Sequence, residues 1–426
     1  MATVKNKIFD KSWWGKFIEK TQGMSEANVF KNCIRKEEIL LMRSQILEML
    51  ASILKLRTSR FGFRVYVDGK LLENNEMIHL FDYPPVKGES IEDWSKRVFG
   101  NKRFGMIVNQ GERFNPALSK LLAFKLKPLL ELNGMPTEGI IFTLFIGNYD
   151  KTPLGIHLDL PGKSVIHFHL GPGKKTMYTW DNDTYEGLVG EQKYNNQNIQ
   201  KYIPFANKYE FGEGDLYFMP EDIYHVGTQE GLSMAIGCWY NNRSMEDFSK
   251  QILSFLTEKY LITCGKNLKA DKNEINDISI IDDCLSLFDI PPELEKLSFK
   301  DLIREEYRDF RYSLFSNAGY RTNPPPLTKD VKLQNNDIVQ LELPFLIKYK
   351  DSYDKTKLHI FIRGTKIEFN NFSCLKLLID KINTGATFRV AELIDVLDED
   401  WSKETGVYII STLIKYKGIS LIKKVE

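Results

Sequence analysis

The sequence predicts an α+β chain built around a central antiparallel barrel or sandwich, with helices on either side and a small module at its C-terminal end. Three observations lead there. Between residues 139 and 241, short apolar stretches follow one another with Gly and Pro at close intervals, a pattern of many short strands rather than a parallel sheet. Before and after that block, apolar residues return at three-to-four spacing, the period of an amphipathic helix. RTNPPPLTKD (321–330) carries three consecutive prolines, which forbid a helix and favour an extended spacer.

Taken in order, SWWGKFIEK (12–20) and KEEILLMRSQILEMLASILKL (36–56) read as helices, the second free of Pro and Gly. FGFRVYVDGK (61–70) alternates and ends in Asp-Gly, a strand followed by a turn. NPALSKLLAFKLKPLLEL (115–132) is a further helix. The expected strands are GIIFTLFIG, GIHLDL, KSVIHFHLG, KKTMYTWD, KYEFGEGDLYFMP, YHVGTQ and LSMAIGCWY. SMEDFSKQILSFLTEKYL and KLSFKDLIREEYRDFRYSLFS return to helical period. Past the prolines, KLHIFIRGTKIEFNN reads as a hairpin. SCLKLLIDKIN, VAELIDVLDED and GVYIISTLIKY read as helices and ISLIKKV as a strand, together a winged-helix-like module. The expected divisions are 1–243, 244–330 and 331–426.

The 426 residues include 58 Lys and Arg against 57 Asp and Glu, a net charge of +1, so bulk nucleic acid is not implied as a partner. Within the C-terminal module VAELIDVLDED is acidic and SCLKLLIDKIN mixed, which favours protein contacts over DNA. The five cysteines are scattered and form no CxxC, the pattern of reduced thiols rather than of a disulfide framework or zinc knuckle. The N-terminal stretch has no secretory pattern, and no apolar run approaches the ~20 residues that cross a bilayer. A soluble, cytoplasmic protein without a membrane partner is the expectation.

GIHLDLPGKSVIHFHLGPGKK (155–175) concentrates the candidate chemistry. On a strand, residues two apart share a face, so His157 and Asp159 would present an imidazole and a carboxylate side by side. A third ligand is offered by GEGDLYFMPEDIYHVGTQ, where Gly214, Pro220 and His225 resemble the second half-motif of cupin barrels, with Asp222 and Gln229 in place of the usual Gly and Asn. Two histidines and one carboxylate on one face of a metal leave the opposite face open, the arrangement of non-haem Fe(II) oxygenases. The rival pair is His167 and His169, which the glutamate of metal-binding cupins does not follow. The plainer reading packs one of them inside the barrel while the other packs or hydrogen-bonds nearby.

HLD, HFHLGPGKKTMYTW and GDLYFMPEDIYHV resemble the JmjC-type, cupin-like 2-oxoglutarate oxygenases, in the branch that hydroxylates proteins and includes the ribosomal oxygenases. The likeness covers 139–241, extends to FDKSWWGKFIEK, and includes the order of the later parts. It implies a double-stranded β-helix (cupin or jelly-roll) core with N-terminal helices, a helical dimerisation region and a C-terminal winged-helix-like domain. It implies Fe(II) held by His157, Asp159 and His225, with 2-oxoglutarate and O₂ as co-substrates. The basic residue that holds the far carboxylate of 2-oxoglutarate would be Lys175, with Lys174 the alternative because of an insertion at LPGK. Thr152 occupies a Thr-Pro segment like one used for the same carboxylate, and Gly237 stands where some members carry a co-substrate-binding Asn.

The implied activity is hydroxylation of an amino-acid side chain in a protein or peptide, either a ribosomal protein or a ribosomally made precursor, by a homodimer. Two other classes stay open: a small-molecule hydroxylase of the same fold, and a non-catalytic binding protein. The Trp13–Trp14 pair and the Met/Leu stripes of 36–56 read as core.

Overall fold

A computed structural model describes residues 8–424 apart from 61, 191–195, 269, 271, 273, 330 and 399–400. The first residues of the N-terminal stretch, the last residue of the proline-rich spacer and the last two of VAELIDVLDED therefore lie outside the described residues. The chain divides into two compact units: residues 1–243 with 318–325, and residues 244–317 with 326–426. The segment after Asn317 thus returns to the first unit before the chain enters the rest of the second.

In the first unit the helices are α1 (Lys11–Lys20), α2 (Lys36–Leu54), α3 (Ile78–Asp82), α4 (Ile91–Phe99), α5 (Pro116–Asn133), α6 (Asn182–Val189) and α7 (Ile199–Tyr202). Helix α1 starts where the Asp10 side chain accepts the Trp13 N–H at 2.8 Å, a standard N-cap. Its Trp14 is fully buried and donates from Nε1 to the Lys125 carbonyl on α5 at 2.8 Å. On α2, Ile39, Met42, Ile46, Met49, Leu50 and Ile53 make the buried stripe. Both expectations of core residues fit these positions, except that Trp13 is only half-buried.

The strands are β1 (Asn28–Phe30), β2 (Phe63–Val67), β3 (Lys70–Leu71), β4 (Phe104–Val108), β5 (Ile140–Gly147), β6 (Lys163–Trp180), β7 (Asn207–Phe211), β8 (Leu216–Met219) and β9 (Tyr224–Asn241). They form one nine-stranded sheet in the order β1-β8-β6-β9-β5-β4-β2-β3, with β7 also paired to β6. Every paired register is antiparallel. Asp68 and Gly69, both at positive φ, make the tight turn between β2 and β3 that the Asp-Gly pair predicts.

Four expectations change. KYEFGEGDLYFMP is two strands, β7 and β8, because the chain turns between them at Gly214, φ +87°. KSVIHFHLG and KKTMYTWD are one strand, β6, and YHVGTQ and LSMAIGCWY are likewise one strand, β9. The Gly-Pro-Gly stretch in β6 is absorbed by register shifts between His169 and Gly171 and between Pro172 and Lys174, instead of turning the chain. These two shifts cancel, so odd-numbered residues point inward at both ends of β6. GIHLDL, by contrast, is an extended edge held by single bridges, Ile156 to Asn196 and His157 to His225. Pro161 has no N–H to extend a ladder there, and Gly162 turns the backbone at φ +85°.

In the second unit, helices Met245–Tyr260 and Phe299–Ser316 follow the predicted period. Its strands form two three-stranded sheets, one of Ile338–Leu341 between Thr387–Arg389 and Ile419–Lys423, the other of Lys348–Asp351, Lys357–Ile362 and Thr365–Asn370. Helices Ser373–Asn383 and Lys403–Lys415 bury Leu375, Leu378, Ile379, Ile410 and Leu413 in a common core with these strands. The third predicted helix is short, Val390–Ile394. No described helix is long and apolar enough to cross a membrane, and none of the five cysteines is in a disulfide.

Candidate metal centre and its cavity

His157, Asp159 and His225 each bring one ligand atom to a common point, all within 4.8 Å of one another, and they are the one such group among the described residues. The backbone builds this convergence. His157 N–H donates to the His225 carbonyl at 3.1 Å and His225 N–H to the His157 carbonyl at 2.9 Å, which brings the two ring centroids to 4.3 Å. Asp222, standing where the cupin half-motif has Gly, adopts φ +55°, the left-handed conformation that Asp tolerates better than most residues.

Each imidazole is oriented through its inner nitrogen. Nδ1 of His157 lies 2.9 Å from the Gly155 carbonyl and Nδ1 of His225 lies 3.0 Å from the Ile223 carbonyl. A carbonyl only accepts, so each Nδ1 carries a proton, and Nε2 is the atom each ring can offer to a metal. Burial, with His157 adding to it, lowers the pKa of His225 to about 4 against the pull of Asp159. The 3.6 Å approach of His225 Nε2 to Asp159 Oδ2 is therefore not an ion pair at neutral pH. Asp159 Oδ2 is itself buried without a hydrogen-bond partner. Metal–ligand bonds of about 2.1 Å put neighbouring ligand atoms roughly 3–4 Å apart, so these donors fit a divalent cation.

The centre opens into a cavity of about 380 Å³. Lys175 lines it, is 6% exposed, and holds Nζ 5.4 Å from the centre of the Phe145 ring. No carboxylate among the described residues pairs with it. Lys174, one step along β6, is exposed and does not line the cavity. Gly227, on the neighbouring strand, makes room for Lys175: a Cβ there would fall 3.1 Å from Lys175 Cε and 2.9 Å from Met177 Sδ. Thr152 also lines the cavity, but its hydroxyl donates to the Gly227 carbonyl at 3.1 Å and accepts the Gly227 N–H at 3.2 Å. Its proton is committed to the backbone. At Gly237 a Cβ would lie 3.1 Å from the Phe145 ring, so the position where other barrels carry Asn is filled by that ring.

His169 is fully buried, with Nε2 2.7 Å from the Gly173 carbonyl, and burial lowers its pKa to about 4. His167 is neutral as well, held well below its ordinary pKa by burial and then by Lys175. It lines the cavity with an unpartnered Nε2. The rival pair thus gathers no third ligand, and one of its members packs while the other faces the cavity. Tyr217 also turns an unpartnered hydroxyl into the cavity wall. Sequence reading missed its role, although alternation in LYFM puts Tyr217 and Met219 on one face. A second group it missed lies elsewhere on the wall: Glu138 is 2% exposed, accepts Arg243 Nε at 2.6 Å and pairs with Arg321.

No protein-family model matches the chain, and no curated protein matches it. Among solved structures it is similar to the ribosomal oxygenase YcfD from Escherichia coli in complex with cobalt and 2-oxoglutarate, at 13% identity over 96% of this chain and 98% of that one, with a TM-score of 0.49. The same enzyme with cobalt and succinic acid aligns at 12% identity over the same shares, TM-score 0.49. SnoK, a non-haem α-ketoglutarate-dependent carbocyclase of nogalamycin biosynthesis, aligns at 11% identity over 57% of this chain and 90% of its own, TM-score 0.30. Likeness at this level carries no argument about the site, which stands on its own geometry.

Proposed function

We propose that this chain is an Fe(II)- and 2-oxoglutarate-dependent oxygenase of the JmjC-like, double-stranded β-helix kind, hydroxylating an amino-acid side chain in a protein or peptide. The observation that carries the reading is the pairing, in one cavity, of an orphaned buried carboxylate oxygen and two converging imidazoles with a buried lysine that no carboxylate among the described residues neutralises.

His157, Asp159 and His225 would hold the iron as a two-histidine, one-carboxylate set. When bound, the iron supplies a reaction with O₂ in which 2-oxoglutarate becomes succinate and CO₂ and one oxygen atom enters a substrate C–H bond. The chain's own contribution is positional. The Gly155 and Ile223 carbonyls hold both imidazoles with Nε2 outward, and burial keeps His225 unprotonated at neutral pH, so no proton competes for its lone pair. Lys175 offers its ammonium to the far carboxylate of 2-oxoglutarate, with Tyr217 as a further hydroxyl donor on the same wall. Phe145, Met177 and Met219 add apolar surface to the same cavity. A cavity of about 380 Å³ exceeds what the co-substrate alone fills, and leaves room for a substrate side chain.

Homodimerisation belongs to the same reading. It is supported by large apolar side chains exposed along the second unit, including Leu261, Ile262, Ile275, Ile278 and Ile281. The C-terminal module is read as winged-helix-like and as a contact surface for protein.

The deciding experiment is anaerobic binding of Fe(II) and 2-oxoglutarate, followed by mass spectrometry for a one-oxygen gain on candidate peptides. Binding of both that depends on His157, Asp159 and His225 supports the assignment. Binding that survives the triple alanine replacement ends it.

A further inference from the structure

The outer wall of the cavity carries positive charge that the reading above does not use. Arg64, Lys163, Arg243 and Arg321 all line it, against one carboxylate, Glu138, apart from the metal-side Asp159. Arg64 and Lys163 are half-buried and have no carboxylate partner among the described residues. Glu138 is clasped by both Arg243 and Arg321, one carboxylate shared by two guanidinium groups.

The sheet register gathers Lys163, Glu138 and Arg321, while Arg64, opposite Ile107 and level with Phe145, lines the cavity farther along. Lys163 on β6 is directly opposite Asn241 on β9, and Glu138 N–H donates to the Asn241 carbonyl at 3.1 Å. Arg321 N–H donates to the Ile140 carbonyl at 3.0 Å, placing it beside the start of β5. The Asn241 side chain is 3% exposed, lines the cavity, and its carboxamide oxygen has no hydrogen-bond partner. A buried amide oxygen left open asks for an N–H donor. A cationic wall beside it asks for an anion.

We infer that this wall selects a carboxylate-bearing substrate, an Asp or Glu side chain in a peptide whose backbone N–H reaches Asn241. The inference rests on the oxygenase reading and names its substrate class. A lysine- or arginine-centred peptide would meet uncompensated like charge, and a neutral one would leave the wall unpaired.

The test uses the full chain with Mn(II) and 2-oxoglutarate, without O₂, and rhodamine-labelled peptides centred on Asp, Glu, Ser or Lys, read by anisotropy; free aspartate and glutamate serve as competitors. Acidic-centred peptides are expected to bind at least about tenfold tighter than lysine-centred ones, an advantage that shrinks with added salt. Lys163→Glu and Arg64→Gln are expected to erase that preference, and Lys163→Arg to keep it. Neither loss strips a partner from a buried carboxylate, so both variants should fold.

Mn(II) and 2-oxoglutarate affinities, measured separately by calorimetry, are expected to be unchanged in these variants. Competition by free aspartate at the peptide's own affinity would support the carboxylate chemistry and assign it to a small acid. Equal binding of all peptides and no competition, with metal and 2-oxoglutarate bound, overturns the inference alone. A weakened 2-oxoglutarate affinity in Lys163→Glu also overturns it, because the wall would then serve the co-substrate. Failure to bind metal or 2-oxoglutarate at all overturns the oxygenase reading instead.

Discussion

Replacing Lys175 with methionine removes the ammonium at the inner end of the cavity while keeping an unbranched apolar chain of similar reach against Phe145. The residue is 6% exposed and no carboxylate among the described residues balances it, so a bound carboxylate is its natural partner and little solvent screens the contact. A hydrogen bond to a charged group contributes about 1.5–3 kcal/mol net, which at 1.36 kcal/mol per factor of ten is a loss of roughly 10- to 150-fold in 2-oxoglutarate affinity. The assay is anaerobic calorimetry of 2-oxoglutarate into Mn(II)-loaded protein, with Lys174→Met as the control. The metal affinity itself should not change, because Lys175 is not among the three residues whose ligand atoms converge. Equal losses in the Lys174 and Lys175 variants, or none in Lys175→Met, would refute the assignment.

Asp159→Asn removes a charge whose Oδ2 has no partner in the metal-free site, so the metal-free variant should melt no lower than the wild type, whereas added Co(II) or Mn(II) should raise the melting temperature of the wild type alone. Gly227→Ala places a methyl 3.1 Å from Lys175 Cε; calorimetry should show weaker 2-oxoglutarate binding with metal binding retained. His169 is lowered by burial from 6.5 to about 4, so between those values the unfolded chain carries the extra proton. Its stability contribution is therefore complete above the unfolded pKa and is lost as pH falls toward the folded one, by about 3 kcal/mol in all. Urea unfolding of the metal-free protein across that window should show the slope, and His169→Gln should reduce it. Breaking the Glu138 pairs with Glu138→Ala should destabilise the first unit in the same assay, by less than the ~3–5 kcal/mol of a fully buried pair because both guanidinium groups stay more than a quarter exposed.

Much of the candidate metal centre could be read from local pattern, because its parts are short-range. His-x-Asp is a two-residue spacing, and the Gly-Pro turn ahead of His225 is a local device. Alternation in KKTMYTW separates Lys174 from Lys175 without coordinates. The length of β6 could not be read, because Gly171 and Pro172 look like a turn and only pairing with β9 turns them into a bulge. The strand expected at GIHLDL shortened to two bridges for the opposite reason: among the described residues no bridge forms beyond His157. The cationic wall is invisible along the chain. Glu138 and Arg321 are 183 positions apart, and no periodicity joins them. Tyr217 was visible in its alternation but not in its purpose, since an unpartnered hydroxyl is a property of the surroundings.

The β6–β9 ladder runs from the pair Lys163 and Asn241 to the pair Trp180 and Tyr224, and so carries one lysine of the cationic wall, the inner lysine and the distal histidine on two neighbouring strands. Their spacings are then ruled by backbone pairing rather than by loop conformation. Adding or deleting one residue in either strand would invert which side chains face inward past that point, unless a compensating bulge arose beside it. Point substitutions can thus retune what the cavity accepts while the frame stays put. Changes of chain length are confined to the connections outside that frame, and divergence in this protein should be written in side chains there and in insertions elsewhere.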